Sequence, residues 1–238
     1  MRRLVIGVVL VVLVCVAAMA GAQSAQEWFN KGYENWRAGN YEAALEFYTK
    51  AIELDPGFAN AYANRGGAYV MLGRYNEAVA DLNKAIELDS GIKEAYHNRG
   101  VAYRNLGRYD EAIADYNKAI ELDPGYVLAY NNRVWAYYLM GEYTKALEEV
   151  TILLIRVPDD PYNLDTRANI YRELGRYNEA IADIDQAIVL KPDFYWAYYS
   201  RGLIYRDMGD TAKAKADLTK ACNMGEYDAC DALKELGN

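Results

Sequence analysis

The chain carries one histidine, His97, three cysteines and 34 acidic side chains. A single imidazole gives neither a histidine-based metal centre nor a Ser-His-Asp triad within one chain. No P-loop, no dinucleotide-binding glycine pattern and no Gly-x-Ser-x-Gly is present. The acidic residues recur in a fixed register, so no carboxylate pair stands out for general acid–base work. The expectation is a protein without catalysis, metal or cofactor.

The residue types able to do other work recur at regular spacing. Arg65, Arg99, Arg133, Arg167 and Arg201 are each followed sixteen residues later by an acid: Asp81, Asp115, Glu149, Asp183 and Asp217. This points to Arg–carboxylate bridges, made inside one unit or to its neighbour, with arginine supplying a bidentate fork. Asn30, Asn64, Asn98 and Asn132 recur every 34 residues, followed by Thr166 and Ser200. A carboxamide offers donor and acceptor together, which matches a peptide unit. Aromatic rings and arginines accompany them: Phe29, Tyr33 and Trp36, His97 and Arg104, Trp135 and Tyr138, Tyr162 and Arg172, then Trp196, Tyr199 and Arg206. Trp, Tyr and Arg dominate binding energy in desolvated patches.

These residues require elements that place them on a common face. Tyr96, Arg99, Gly100 and Tyr103 fall at helical spacing, and Gly107 ends that helix as a left-handed cap. Tyr109, Ala112, Ile113, Tyr116, Ala119 and Ile120 describe a second helix, closed by Asp123-Pro124. Gly100 and Ala112 are small where the two helices cross. The same beat recurs 34 residues earlier, through Tyr62, Gly66, Tyr69, Gly73 and Tyr75, and 34 later, through Tyr130, Tyr137, Gly141 and Tyr143. A period of this size is the mark of a solenoid. Six units fit without insertion: 25–58, 59–92, 93–126, 127–160, 161–194 and 195–228. Residues 227–236 read as a short capping helix over the last apolar face.

The spacing of aromatic, Leu-Gly, Tyr, Ala and Pro resembles the tetratricopeptide repeat. The resemblance implies an all-α fold, a right-handed α-solenoid of six helix-turn-helix repeats plus the cap. It also implies a concave surface lined by the outward positions of each first helix. An Asn ladder at position six is similar to that of the superhelical arm of O-linked N-acetylglucosamine transferases, where carboxamides hold a peptide backbone. The expected groove comprises Phe29, Asn30, Trp36, Asn64, Asn98, Arg104, Asn132, Trp135, Tyr138, Arg172, Trp196, Tyr199 and Arg206. Two other readings stay open: the Asn side chains bond water or their own backbone, and some rings pack against neighbouring helices. Cochaperone members of the family clamp a carboxylate tail with Lys at position five and Asn at position nine. Here those positions hold Phe29, Ala63, His97, Asn131, Asp165 and Tyr199, and Tyr33, Gly67, Val101, Trp135, Asn169 and Leu203, with no Lys among them. That clamp is absent. Cys222 and Cys230 resemble the cysteine-paired helix hairpins of related secreted bacterial repeat proteins. The resemblance implies a disulfide; the other reading is two buried thiols.

Met1-Arg2-Arg3, the uncharged run Leu4–Ala22 and the Ala20-Gly21-Ala22 ending describe a signal peptide over 1–22. Residues 4–22 left uncut would instead form a membrane anchor. Either way the repeats lie outside the cytoplasm, periplasmic or secreted. Losing Arg2 and Arg3 leaves 24 basic against 34 acidic side chains, a net charge of −10. That balance disfavours nucleic acid and anionic lipid, which require a basic face. The expected partner is a protein or peptide, with membrane contact only through an uncleaved leader. The leading expectation is a non-enzymatic scaffold outside the cytoplasm that holds an extended segment. The alternative is an assembly component of an envelope complex, docking by its convex face or ends. Mass analysis of the mature protein is predicted to find Gln23 at its N-terminus; a chain starting at Met1 contradicts cleavage.

Overall fold

The structure, a computed structural model, describes residues 24–237. The leader at 1–22 lies outside the described residues. Thirteen α-helices occur among them: α1 (Ala25–Arg37), α2 (Tyr41–Leu54), α3 (Ala59–Met71), α4 (Tyr75–Leu88), α5 (Lys93–Asn105), α6 (Tyr109–Leu122), α7 (Val127–Leu139), α8 (Tyr143–Arg156), α9 (Pro161–Glu173), α10 (Tyr177–Leu190), α11 (Tyr195–Asp207), α12 (Thr211–Asn223) and α13 (Tyr227–Glu235). The fold is all-α. None of these helices is long and apolar enough to cross a membrane.

Local chemistry sets the breaks. Ser24 and Glu27 form a capping box at the start of α1, each side chain taking the other's backbone N–H at 3.1 Å. Gly107 ends α5 at φ +74°, a conformation that side chains with a Cβ disfavour. At the ends of α2, α4 and α6, Asp55, Asp89 and Asp123 each accept the backbone N–H two residues on, at 2.8–2.9 Å. These turns free the chain to start the next helix.

The chain divides into two compact units, the first ending at Arg108 and the second beginning at Tyr109. In the first, α1 to α5 pack each on the next, and α3 also touches α5. Its core gathers Ala63, Ala78, Leu82, Ala85, Ala95 and Ala102, flanked by Tyr69 and Tyr75. Gly66 lets α3 approach α4 closely, since a Cβ there would lie 2.5 Å from Leu82 Cγ. In the second unit α6 to α13 pack in sequence, and α9 also touches α11. Its main core runs through Val134, Val150, Leu153, Leu164, Ile170, Ile184, Phe194 and Ile204. Helix α13 closes the last face: Ala229 and Ala232 are buried with Leu218 and Ala221. Cys222 and Cys230 lie within bonding distance, with Cα atoms 4.8 Å apart, a separation compatible with a disulfide.

The arginine series is built into the packing. Arg65 grips Asp81 with Nε at 2.6 Å and Nη2 at 2.8 Å. Arg167 holds Asp183 at 2.7 Å through both nitrogens, and Arg201 holds Asp217 at 2.7 and 2.9 Å. Arg133 donates to Glu149 at 2.6 Å. Each of these bridges joins the two helices of one hairpin. The same arginines also reach back sixteen residues: Arg65 to Thr49 at 3.0 Å, Arg133 to Asn117 and Arg201 to Asp185. Arg99 reaches Asn83 at 2.6 Å in the same way. So the bridges of Arg65, Arg133 and Arg201 are intra-hairpin and inter-hairpin at once, while that of Arg167 stays within its hairpin.

None of the eight paired side chains is more than 22% exposed. Removing one partner of a buried pair strands the other charge and typically costs about 3–5 kcal/mol. Asp183→Ala is predicted to destabilise by about that much in urea unfolding, while Arg167→Met with Asp183→Leu recovers most of the loss. A single variant costing under ~1 kcal/mol, the range of exposed pairs, contradicts this.

Candidate functional site

In the second unit, three successive first helices present helical stripes to one cavity of about 360 Å³. Helix α7 gives Trp135 and Tyr138, α9 gives Asp165, Asn169 and Arg172, and α11 gives Trp196, Tyr199, Ser200 and Leu203. Spacings of three, four and seven put each set on one helix face. Helix α9 starts firmly because Asp160 accepts the backbone N–H of Tyr162 at 2.9 Å and Pro161 follows the cap.

The walls are aromatic. Trp135 meets Tyr138 edge-on with centroids 5.4 Å apart, and Tyr138 leans on Tyr143 at 5.5 Å. Trp196 stands against Phe194 at 6.0 Å and Tyr195 at 5.2 Å. Trp135 and Trp196 stay 39% and 46% exposed, although both are large apolar rings. The Tyr138 hydroxyl donates to Glu173 at 3.1 Å; burial, then the Glu173 charge, pushes its pKa up to about 12. Burial likewise raises that of Tyr199, with Asp228 adding to it.

The polar floor is less well served. Asn169 Nδ2 donates to the Asp165 backbone carbonyl at 2.9 Å, to Ser200 Oγ at 3.1 Å and, at 3.3 Å, to Asp165 Oδ2. Asp165 Oδ1 is buried and has no hydrogen-bond partner. Burial drives the Asp165 carboxyl up to about 6, against a smaller lowering influence of the Ser200 hydroxyl. Arg172 does not serve it: its guanidinium bonds Glu173 at 2.8 Å and Asp207 at 3.2 Å. Arg206 also leans on Asp207, at 3.3 Å.

Of the residues read from the sequence, Trp135, Tyr138, Arg172, Trp196, Tyr199 and Ser200 line this cavity, and Arg206 lies beside it through Asp207. The others lie elsewhere. Phe29 packs against Tyr48 at 5.7 Å and Phe58 at 5.0 Å, inside the first hairpin's apolar cluster. Trp36 stacks on Tyr33 at 6.4 Å. Arg104 lies near His97, where it adds to the lowering of the imidazole's pKa, which is mainly due to burial. The Asn series turns partly inward on itself. Asn64 and Asn132 donate to the carbonyls of Asn60 and Leu128 one turn back, at 2.8 and 2.9 Å. Asn30 accepts from Gln26 at 2.8 Å, and Asn98 Oδ1 lies 3.2 Å from His97 Nδ1. Asp165, Asn169 and Leu203 stand at positions five and nine, noted in the sequence only for lacking Lys. Their signal was present: an acid at position five and Asn at position nine of one unit.

Known proteins share this architecture. The tetratricopeptide-repeat family model matches residues 25–58 and 94–126, with related models on 47–80 and 115–148 and on 197–229. A TPR repeat model matches 66–107 and 168–209. A tetratricopeptide repeat protein from Parabacteroides merdae is similar in structure, with 26% identity, TM-score 0.72, 90% of this chain and 84% of that one covered. YrrB, described as a TPR protein with an unusual peptide-binding site, is 23% identical at TM-score 0.59, over 79% of this chain and 97% of its own. A fragment of MamA from Desulfovibrio magneticus is 20% identical at TM-score 0.62, over 71% of this chain and 96% of its own. No curated protein matches the chain.

Proposed function

Because the chain belongs to the tetratricopeptide-repeat family, we propose that it is an exported, non-enzymatic interaction module that holds an extended peptide or protein segment on the first-helix face of its second unit. The fold commonly mediates protein–protein interaction, and its members are generally non-catalytic scaffolds. The observation that carries the reading to this face is the cavity walled by Trp135, Tyr138, Trp196 and Tyr199. Two indoles left half-exposed beside a cavity within the size range of ligand sites have the makings of binding hot spots. The rings sit on packed helices, so little ordering cost falls on binding. The expected place of action is the periplasm or the exterior, on the strength of the leader-like N-terminus.

The second reading is an assembly component docking through other surfaces. Ile155 on α8 and Val189 on α10 favour it, being 75% and 78% exposed on second helices. One experiment separates the two. A partner captured by crosslinking from the native envelope is purified and titrated against variants. Trp135→Ala with Trp196→Ala is predicted to weaken binding by about 2 kcal/mol or more with helicity intact. Unchanged binding with that pair, and loss with Ile155→Asp and Val189→Asp, contradicts the groove and supports the other surfaces.

A further inference from the structure

We propose that the cavity between α7, α9 and α11 takes a lysine or arginine side chain of the bound segment, with Asp165 as its counter-ion and Trp135, Tyr138, Trp196 and Tyr199 as its walls. This rests on the reading of that face as a segment-binding surface and names what anchors the segment. An ionised carboxylate only accepts hydrogen bonds and has room for about four. Asp165 lines the cavity, yet its carboxylate has only a long bond from Asn169 at 3.3 Å and the nearby Ser200 hydroxyl favouring its charged form, and its Oδ1 accepts no bond from the protein. Asn169 is committed more closely to the Asp165 carbonyl and to Ser200. A buried acceptor left in this state costs free energy that an incoming donor removes.

The neighbouring charges do not compete for this acceptor. Arg172 is held by Glu173 and Asp207, and Arg206 by Asp207, so neither bonds Asp165. Around the cavity five acids, Asp165, Glu173, Asp207, Glu226 and Asp228, stand near two bases, Arg172 and Arg206. The excess is negative, matching a cationic guest. The walls fit the rest of such a side chain: its methylenes pack on indole and phenol rings while its charged end lies against their faces. Other anchors fit worse. An apolar side chain fills the walls but leaves Asp165 unpaired. An acidic one sets like charge against like.

The test pans a phage library of random linear peptides against the full chain. Selected peptides are expected to share one position enriched in Lys or Arg. A synthetic copy with that residue replaced by norleucine is expected to bind about tenfold or more weakly, the effect of losing a hydrogen bond to a charged group. Asp165→Asn, which keeps the side-chain shape, is expected to abolish this preference, whereas Trp135→Ala weakens both peptides. Peptides that need Trp135 and Trp196 but carry no basic anchor, or a norleucine copy that binds equally well, overturn the basic-anchor proposal and leave the groove standing. Selection of no peptide, or of peptides indifferent to Trp135→Ala and Trp196→Ala, overturns the segment-binding reading itself and the anchor with it.

Discussion

A guanidinium shared by three helices sets the geometry on which the site depends. Arg133 joins Glu149 in its own hairpin to Asn117 in the one before it, and Arg201 does the same with Asp217 and Asp185. Buried charges tolerate no slack: a helix that slips by a turn strands an arginine or an acid without partners. The bridges thus hold α3, α7 and α11 in rotation and register relative to the elements beneath them, while Arg167 ties α9 to its own hairpin. Surface pairs such as Arg74 with Glu77 carry no such constraint, being half exposed and worth little.

Phase held in this way converts a spacing in the chain into a surface. In the second unit, α7, α9 and α11 turn equivalent faces to one side, and side chains from three separate helices meet around one cavity. The core beneath is mainly Val, Leu, Ile and Ala, with the rings of Tyr130 and Phe194 among them. At the cavity the polar side chains include Asp165, Asn169, Arg172 and Ser200. Arg172 stands one turn beyond Asn169 on the same helix, but is drawn to Glu173 and Asp207 instead. An incompletely bonded carboxylate beside exposed indoles is a cost to stability.

Much of the fold was legible because it is carried by local chemistry. The period, the left-handed glycines such as Gly107 and the Arg-acid spacing are all visible without coordinates. The rings at Trp135, Tyr138, Trp196 and Tyr199 were legible by helical position alone. What escaped was competition for partners. Asn64 and Asn132 looked outward, yet their amides bond carbonyls of their own helices, as Asn side chains readily do. Phe29 occupies an outward position, yet it is half-buried against the neighbouring Tyr48 and Phe58. Asp165 appeared only as a missing lysine. Its importance comes from what α11 and Asn169 do, and do not, offer it, and that is a property of three-dimensional neighbours rather than of spacing.

Asp165 is held in the fold at a cost to stability. Its carboxyl is raised from its usual value near 4 to about 6, so between these values the folded chain binds more protons than the unfolded one. Stability attributable to this group therefore falls as pH rises through that window and stays lower above it. The direct measurement compares urea unfolding of the wild type and Asp165→Asn from pH 4 to pH 8. The variant is expected to gain on the wild type across pH 4 to 6, by up to ~3 kcal/mol, and to keep the gain at pH 7. A difference that does not change with pH, or a variant that becomes less stable than the wild type as pH rises, contradicts it.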